Sequence, residues 1–109
     1  MNEWTIEYTE TAEADIDDIF RYIAETLKAP GTAKEQIRRI VERISKLDVM
    51  PKRYSLYNKG KWRDIGLRRT NVDNFSIFYI PDDAGRTVTI IRIMYGGRDI
   101  DAIMQDWIL

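Results

Sequence analysis

A chain of 109 residues has the usual size of a single domain, and its 44% hydrophobic and 32% charged residues are ordinary for a globular protein. It contains neither cysteine nor histidine, which excludes disulfides, thiolate zinc sites, thiol catalysis and mechanisms that depend on imidazole. No stretch approaches the roughly 20 apolar residues of a membrane span, and the N-terminus lacks the features of a signal peptide. We therefore expect one cytoplasmic domain, residues 1–109, with no metal and no cofactor.

The net charge of −1 is unevenly distributed along the chain. The first 29 residues carry eight acidic side chains against two basic ones, a net charge of −6. Residues 52–69 carry seven basic side chains against one acidic, a net charge of +6. A basic segment of this kind attracts phosphates or an acidic protein segment, and it is also typical of a solvated surface.

The first predicted elements are a short strand and a helix. Apolar residues alternate with polar ones from Trp4 to Tyr8, which indicates a half-buried strand. An apolar stripe at helical spacing then predicts an amphipathic helix that begins near Thr11 and stops at Pro30. The residues of this stripe are Ala12, Ile16, Ile19, Phe20, Ile23 and Leu27.

A second amphipathic helix is predicted before Pro51. Thr32 and Glu35 have the spacing of a capping box, in which each side chain bonds the backbone of the other residue. The tight connection makes the two helices a hairpin, and basic residues fall mostly on the exposed side of the second. Its apolar stripe consists of Ile37, Ile40, Val41, Ile44 and Leu47.

The second half of the chain has the periodicity of strands. Three are predicted, from Trp62 to Arg69, from Phe75 to Ile80 and from Thr87 to Tyr95. Turn residues at 71–74 and 81–85 separate them and favour an antiparallel meander. The last strand is almost continuously apolar, so we expect it to lie centrally in the sheet.

A pair of glycines ends the last strand, and Asp99 is predicted to cap a final short helix. The predicted fold is therefore α+β with the order β-α-α-β-β-β-α, a helix hairpin packed on a small, mainly antiparallel sheet. Arg92 interrupts the last strand. A buried cation of this kind needs an ion pair, for which Asp64 or Asp99 is expected, or else a functional role.

Taken together, these residues resemble the RelE/ParE family of bacterial type II toxins. The resemblance runs along nearly the whole chain: residues 8–23 resemble the family's first strand and helix, residues 74–79 a central block, and residues 91–100 the final strand and its arginine-bearing turn. It implies a protein that arrests growth until a cognate antitoxin covers it. The antitoxin's C-terminal segment would wrap the toxin in a hetero-oligomer, which would contact DNA only through the antitoxin.

The family contains two activities, because RelE-like members cut mRNA in the ribosome whereas ParE-like members are implicated in poisoning DNA gyrase. The RelE-like site is known for lysines on the second strand, arginines leading the third strand and in the final turn, and a tyrosine in the last helix. By position these fall near Asp64, Gly66, Ser76 and Met104 here, and only the turn arginine, Arg98, is retained. The resemblance therefore favours the ParE-like branch, with DNA gyrase as the candidate target.

The alternative is a ribosome-dependent mRNA endonuclease with a rearranged site formed by Lys61, Arg63, Arg69 and Arg98. In the ParE-like interpretation, the residues expected to contact the target are Arg69, Arg92, Tyr95 and Arg98. The residues expected to contact the antitoxin are Arg39, Arg43, Lys61, Arg63 and Arg68. A structural role is an alternative for each: a cation on a solvated edge strand, a salt bridge from Arg98 to Asp99, or a rim tyrosine at Tyr95.

Overall fold

A hairpin of two helices packs against one face of a four-stranded sheet in the computed structural model, which describes residues 3–107. Apart from one extra short helix before the second strand, the predicted order of elements and the predicted fold class are confirmed. None of the described helices is long and apolar enough to cross a membrane. The elements in chain order are β1 (Thr5–Tyr8), α1 (Glu10–Arg21), a π-helical turn (Tyr22–Thr26), α2 (Pro30–Ser45), two 3₁₀ turns (Lys46–Asp48 and Pro51–Arg53), α3 (Gly60–Asp64), β2 (Arg68–Val72), β3 (Phe75–Asp82), β4 (Thr87–Tyr95) and α4 (Ile100–Asp106).

The sheet has the strand order β1-β4-β3-β2, so β4 lies in its interior as its apolar sequence predicts. β2, β3 and β4 form an antiparallel meander, whereas β1 runs parallel to β4. β1 pairs with only the first half of β4 and ends opposite Ile90. The second half of β4 therefore has no neighbouring strand on that side, and α1 lies there instead.

Two hydrophobic clusters cover the two faces of the sheet. Because consecutive strand residues point to opposite faces, Ile77 and Tyr79 belong to the cluster under the hairpin, whereas Phe78 belongs to the other. Ile40 and Ile44 of α2 are fully buried in the first cluster. The second cluster is filled by the segment around α3 and by α4; its buried residues are Tyr57, Trp62, Leu67, Phe78, Ile91, Met94, Ile100 and Met104.

The start of α2 differs from the one that the capping box predicts. Thr9 caps α1, and its side chain accepts a hydrogen bond from the Ala12 N–H at 3.0 Å. α2 begins at Pro30, where a fixed φ suits the first turn and no backbone donor is needed, and no side chain caps it. The predicted capping box at Thr32 is therefore wrong, and Glu35 instead bonds Arg38 on the same helix.

A π-helical turn ends the first helix of the hairpin. The Leu27 N–H donates to the carbonyl of Tyr22, five residues earlier, at 3.0 Å. This wider turn shifts the side chains that follow it away from the regular 3.6-residue spacing. Leu27 is consequently 56% exposed, and its predicted place on the buried stripe is wrong.

The strand predicted to start at Trp62 begins only at Arg68. Trp62 lies in α3 and is buried; its indole N–H donates to the carbonyl of Met104 in α4 at 2.6 Å. Gly66 then adopts a φ of +83°, which lies outside the regular strand region and which glycine adopts without steric cost. The apolar residues of this segment thus fill the second cluster from a helix and a turn. The following turn is shorter than expected, because residues 71 and 72 belong to β2.

Candidate functional site

Tyr95, at the end of β4, stands between two concave surfaces. The first, which we name the apolar groove, has a volume of about 610 Å³ and lies between the hairpin and the ends of β3 and β4. The second, the arginine cleft, measures about 280 Å³ and contains Arg69 and Ser76. The Tyr95 ring is half exposed and packs edge-on against Phe75, with 5.9 Å between the ring centroids. Gly97 leaves room for it, because a Cβ atom there would collide with the ring.

In the arginine cleft, neutral groups hold a cation in place. The Arg69 guanidinium donates to Ser76 Oγ from Nε at 3.1 Å and from Nη2 at 2.8 Å. Ser76 Oγ in turn donates to Asn71 Oδ1 at 2.8 Å, and the guanidinium lies 5.4 Å from the centre of the Phe78 ring. No carboxylate of residues 3–107 forms an ion pair with Arg69. Its charge is therefore available to a carboxylate or phosphate from outside.

The positions carried over for the RelE-like site need a correction. Asp64 ends α3 and Gly66 lies in the following turn, so neither is on the second strand. That strand carries Arg68 and Arg69 instead. Arg68 is half-buried, and it donates to the backbone carbonyls of Lys52 at 3.0 Å and Tyr54 at 2.7 Å. Arg69 is thus the second-strand cation that faces the cleft.

The apolar groove combines exposed apolar side chains with one cation. Tyr22, at the start of the π-helical turn, and Leu27, just after it, line the groove and are 57% and 56% exposed. Arg98 lines the groove near Tyr95 and has no ion pair within residues 3–107, so the salt bridge to Asp99 that we considered does not form. Asp99 caps α4 instead and accepts a hydrogen bond from the N–H of Ala102.

Arg92 lines neither of these surfaces and forms a nearly buried ion pair instead. Its Nε and Nη2 atoms donate to the two carboxylate oxygens of Asp15 in α1, at 2.9 and 3.0 Å. The expected partners, Asp64 and Asp99, were therefore wrong. Asp15 also accepts the backbone N–H of Ile93 at 2.9 Å, a donor that β1 ends too early to pair. The guanidinium lies 5.4 Å from the ring centre of Trp107.

Three of the five residues expected to contact the antitoxin lie along the outer strand β2. Arg39 bonds both oxygens of Asp73 at 2.8 and 2.9 Å, and these hydrogen bonds lower the pKa of the Asp73 carboxyl. Arg43 donates to Thr70 Oγ1 at 3.0 Å and to a backbone carbonyl of the strand. Arg68, on the strand itself, completes the group.

The other two, Lys61 and Arg63, belong to α3. Lys61 donates to the carbonyl of Trp107 at 3.1 Å and lies over the ring of Trp62. α2 and α3 pack on opposite faces of the sheet, so the structure does not assemble the five residues into one patch. Neither do the four residues of the alternative ribonuclease site meet, because α3 contributes nothing to the groove or the cleft.

Sequence reasoning missed several residues of the two surfaces. Ser76 and Asn71 carried no signal of their own, since their role depends on pairing across the β2–β3 hairpin. Tyr22 did carry a signal in the sequence, because it is a large side chain off the buried stripe of its helix. Leu27 carried no such signal, since it has the spacing of a core residue and only the π-helical turn exposes it.

Comparisons with known proteins agree with the fold. Residues 6–100 match the family described as the ParE toxin of the type II toxin-antitoxin system parDE. A chromosomal ParDE system from P. aeruginosa superposes with a TM-score of 0.71 and 22% identity over 87% of this chain and 98% of that one. The toxin-antitoxin complex RelBE2 from Mycobacterium tuberculosis gives 0.65 and 22%, covering 87% and 93%. The archaeal RelE-RelB complex from Pyrococcus horikoshii gives 0.60 and 14%, covering 90% and 99%. No curated protein matches the chain significantly.

Proposed function

Because this chain belongs to the ParE toxin family of type II toxin-antitoxin systems, we propose that it arrests growth until a cognate antitoxin binds it. The family match over residues 6–100 carries the proposal. The solved structures with the same fold support it, since they are described as a ParDE system and as RelBE complexes. The protein then works as one half of a hetero-oligomer, and it contacts DNA only through the antitoxin.

The edge formed by Arg39, Arg43 and Arg68 stays basic although Asp73 pairs with Arg39, and this supports an antitoxin with acidic residues in its C-terminal segment. Arg43 donates to the backbone carbonyl of Asn71 in β2, the edge strand of the sheet. An extended acidic segment would gain charge-assisted hydrogen bonds there, and its ordering entropy would be offset by the large surface that it buries. To reach Lys61 and Arg63 as well, the segment must pass around to the other face of the sheet.

For the target, we propose DNA gyrase and a contact surface centred on Tyr95. Arg69, Tyr95 and Arg98 line the arginine cleft and the apolar groove, and neither cation has a carboxylate partner within residues 3–107. Arg92 serves as an internal anchor for this surface, since Asp15 neutralises it. Such a surface binds its target and needs no turnover of its own.

A ribosome-dependent endonuclease remains the second candidate, because Arg69 lies on β2 beside the half-exposed Tyr95. Arg69 would stabilise charge on a phosphate, and the Tyr95 hydroxyl at the edge of the cleft would serve as an acid or base. A cell-free translation reaction tests it. Fragments of mRNA that appear only when ribosomes are present would contradict the gyrase proposal and support the endonuclease.

Controlled expression of the chain tests the toxin proposal itself. We expect induction to stop growth, and co-expression of the protein encoded beside it to restore growth. Continued growth while the full-length folded chain accumulates would contradict the proposal.

A further inference from the structure

Arg69 and Arg92 are anchored through the same edge of the guanidinium, but to acceptors of different charge. Arg92 donates from Nε and Nη2 to the carboxylate of Asp15, at 2.9 and 3.0 Å. Arg69 donates from the same two atoms to Ser76 Oγ, at 3.1 and 2.8 Å. Arg69 is therefore held in place as an ion pair would hold it, but by a neutral hydroxyl that leaves its positive charge uncompensated.

The register of the β2–β3 hairpin builds this neutral anchor. Asn71 and Ser76 lie directly opposite each other, and Arg69 precedes Asn71 by two residues on the same face of the sheet. Ser76 is only 2% exposed, and its hydroxyl proton is donated to Asn71 Oδ1 at 2.8 Å. The lone pairs of the hydroxyl are thereby left for the guanidinium, which also lies 5.4 Å from the centre of the Phe78 ring.

The far end of the Arg69 guanidinium stays available for binding. No acceptor among residues 3–107 bonds its Nη1 atom, and the Nη1–Nη2 end can form two parallel hydrogen bonds with an oxyanion. The carboxylate that lines the same cleft, Asp73, is bonded by Arg39 and Gln36 instead. The cleft thus presents an ordered cation whose bidentate end has no internal competitor.

An anchor in the free protein changes what it costs to bind an anion. An arginine that becomes ordered only when its partner arrives loses rotamer freedom at that moment. An arginine held by a carboxylate of its own chain has its charge cancelled before the partner arrives. The Ser76 hydroxyl avoids both costs, and ordering one long side chain in advance strengthens binding about 3- to 10-fold.

We propose that Ser76 and Asn71 are positioning residues of the target surface, which hold Arg69 ready for an oxyanion of the target without neutralising it. Both act through Arg69. The inference rests on the proposed function and deepens it, because it makes the neutrality of the two anchoring side chains a requirement for toxicity. A carboxylate in their place would keep the guanidinium ordered and remove its charge from the target.

Three substitutions separate positioning from a structural role. Ser76→Ala removes the anchor, Ser76→Thr keeps a γ-hydroxyl on a residue type that favours strands, and Asn71→Asp adds a carboxylate beside Arg69. Ser45→Ala is the control for the lost hydroxyl, because Ser45 is exposed at the end of α2 and bonds a carbonyl of its own helix. Gln105→Glu, exposed on α4 and away from the arginine cleft, is the control for the added charge.

The NMR signal of the Arg69 Nε–H group reports on the anchor in the free protein. We expect slow exchange of this proton with water in the wild type and in Ser76→Thr, and fast exchange in Ser76→Ala. The inducer dose that halves survival should rise about 3- to 10-fold for Ser76→Ala. It should stay within about twofold of the wild-type dose for Ser76→Thr and Ser45→Ala.

Asn71→Asp gives the sharper test, because it separates toxicity from stability. Its new carboxylate pairs with Arg69, so we expect the Tm to be retained and growth arrest to be abolished, whereas Gln105→Glu should remain toxic. If Asn71 had a merely structural role, this stable variant would be as toxic as the wild type. The comparison also decides the matter if Ser76→Ala fails to fold.

The outcomes distinguish this inference from the proposed function. Wild-type toxicity of Asn71→Asp would overturn the positioning role while leaving the toxin proposal intact. Equally slow exchange of the Arg69 Nε–H proton in Ser76→Ala and the wild type would do the same. If the wild-type chain does not arrest growth, the proposed function fails, and the positioning role at its target surface fails with it.

Discussion

Asp15 of α1 and Arg92 of β4, 77 residues apart in the chain, form an ion pair with two hydrogen bonds and almost no solvent exposure. The same carboxylate accepts the backbone N–H of Ile93 beyond the end of β1. One side chain therefore neutralises a buried cation and satisfies an open sheet edge. It also fixes α1 against β4, which forms the floor of the apolar groove.

Removing this carboxylate should destabilise the protein strongly. Asp15→Ala leaves Arg92 charged without a partner and Ile93 without an acceptor, so we expect the free energy of unfolding to fall by about 3–5 kcal/mol in urea titrations. Asp18→Ala is the matched control, because Asp18 pairs with Arg21 on the exposed side of the same helix. It should cost about 1 kcal/mol or less. Equal losses in the two variants would contradict the role of Asp15.

Alanine variants of Thr9 and Thr32 test where the two helices of the hairpin begin. Thr9→Ala removes the cap of α1 and the hydrogen bonds from the hydroxyl to the carbonyls of Ile90 and Ile91, so it should cost at least about 1 kcal/mol. Thr32 lies inside the first turn of α2 and caps nothing, so Thr32→Ala should change stability by about 0.5 kcal/mol or less. A larger loss at Thr32 than at Thr9 would place the start of α2 at the predicted capping box.

The arginine cleft can be tested through toxicity. Arg69→Gln removes the unpaired charge while keeping a side chain that can bond Ser76, so it should abolish growth arrest and leave the Tm and antitoxin binding nearly unchanged. Arg63→Gln removes an exposed charge on α3, away from both surfaces, and should remain toxic. Colony counts after induction measure both. The opposite pattern would move the target contact to α3.

Alkaline pH should weaken the fold through two buried tyrosines. Burial raises the pKa of Tyr57 to about 12, aided by the hydrogen bond to Asp101, and burial also raises the pKa of Tyr79 to about 12. An unfolded tyrosine loses its proton near pH 10, so between about pH 10 and 12 the unfolded state gives up protons that the folded state keeps. Stability from these groups is therefore complete below about pH 10 and is lost as the pH rises towards 12.

The double variant Tyr57→Phe/Tyr79→Phe isolates this effect. Between about pH 10 and 12, its unfolding free energy should fall less steeply than that of the wild type. The reason is that the double variant lacks the two hydroxyls that keep their protons in the folded state and lose them in the unfolded state. Urea titrations at several pH values across this range measure both slopes. Identical slopes would show that these two hydroxyls do not titrate differently in the folded and unfolded states.

Periodicity predicted most of the fold because most of its elements are amphipathic. Alternating and helical stripes gave the order of the main elements, and the apolar sequence of β4 gave its interior place in the sheet. The errors fall where tertiary contacts outweigh local pattern. Trp62 lies in a helix because its indole bonds Met104, 42 residues away. Leu27 is exposed because one turn of its helix is wider than the α-helical period.

The candidate site was less predictable, because its parts come from distant segments. The sequence identified Arg69, Tyr95 and Arg98 as separate candidates but contained nothing to join them. It also assigned Arg92 to the wrong carboxylates, since the sequence does not show which carboxylate the fold brings to β4. β1 ends opposite Ile90, and α1 brings Asp15 to the edge of β4 that is left open beyond it. Only the folded sheet shows that these two residues meet there.

We propose that the chain poisons DNA gyrase and that its antitoxin prevents this. The most direct test incubates purified host DNA gyrase and plasmid with the chain, then counts trapped gyrase-DNA cleavage complexes with and without the antitoxin. We predict that the complexes accumulate with the chain alone, and that they disappear when the antitoxin is added in equimolar amount. Unchanged cleavage by gyrase, at chain concentrations that arrest growth, would contradict the claim.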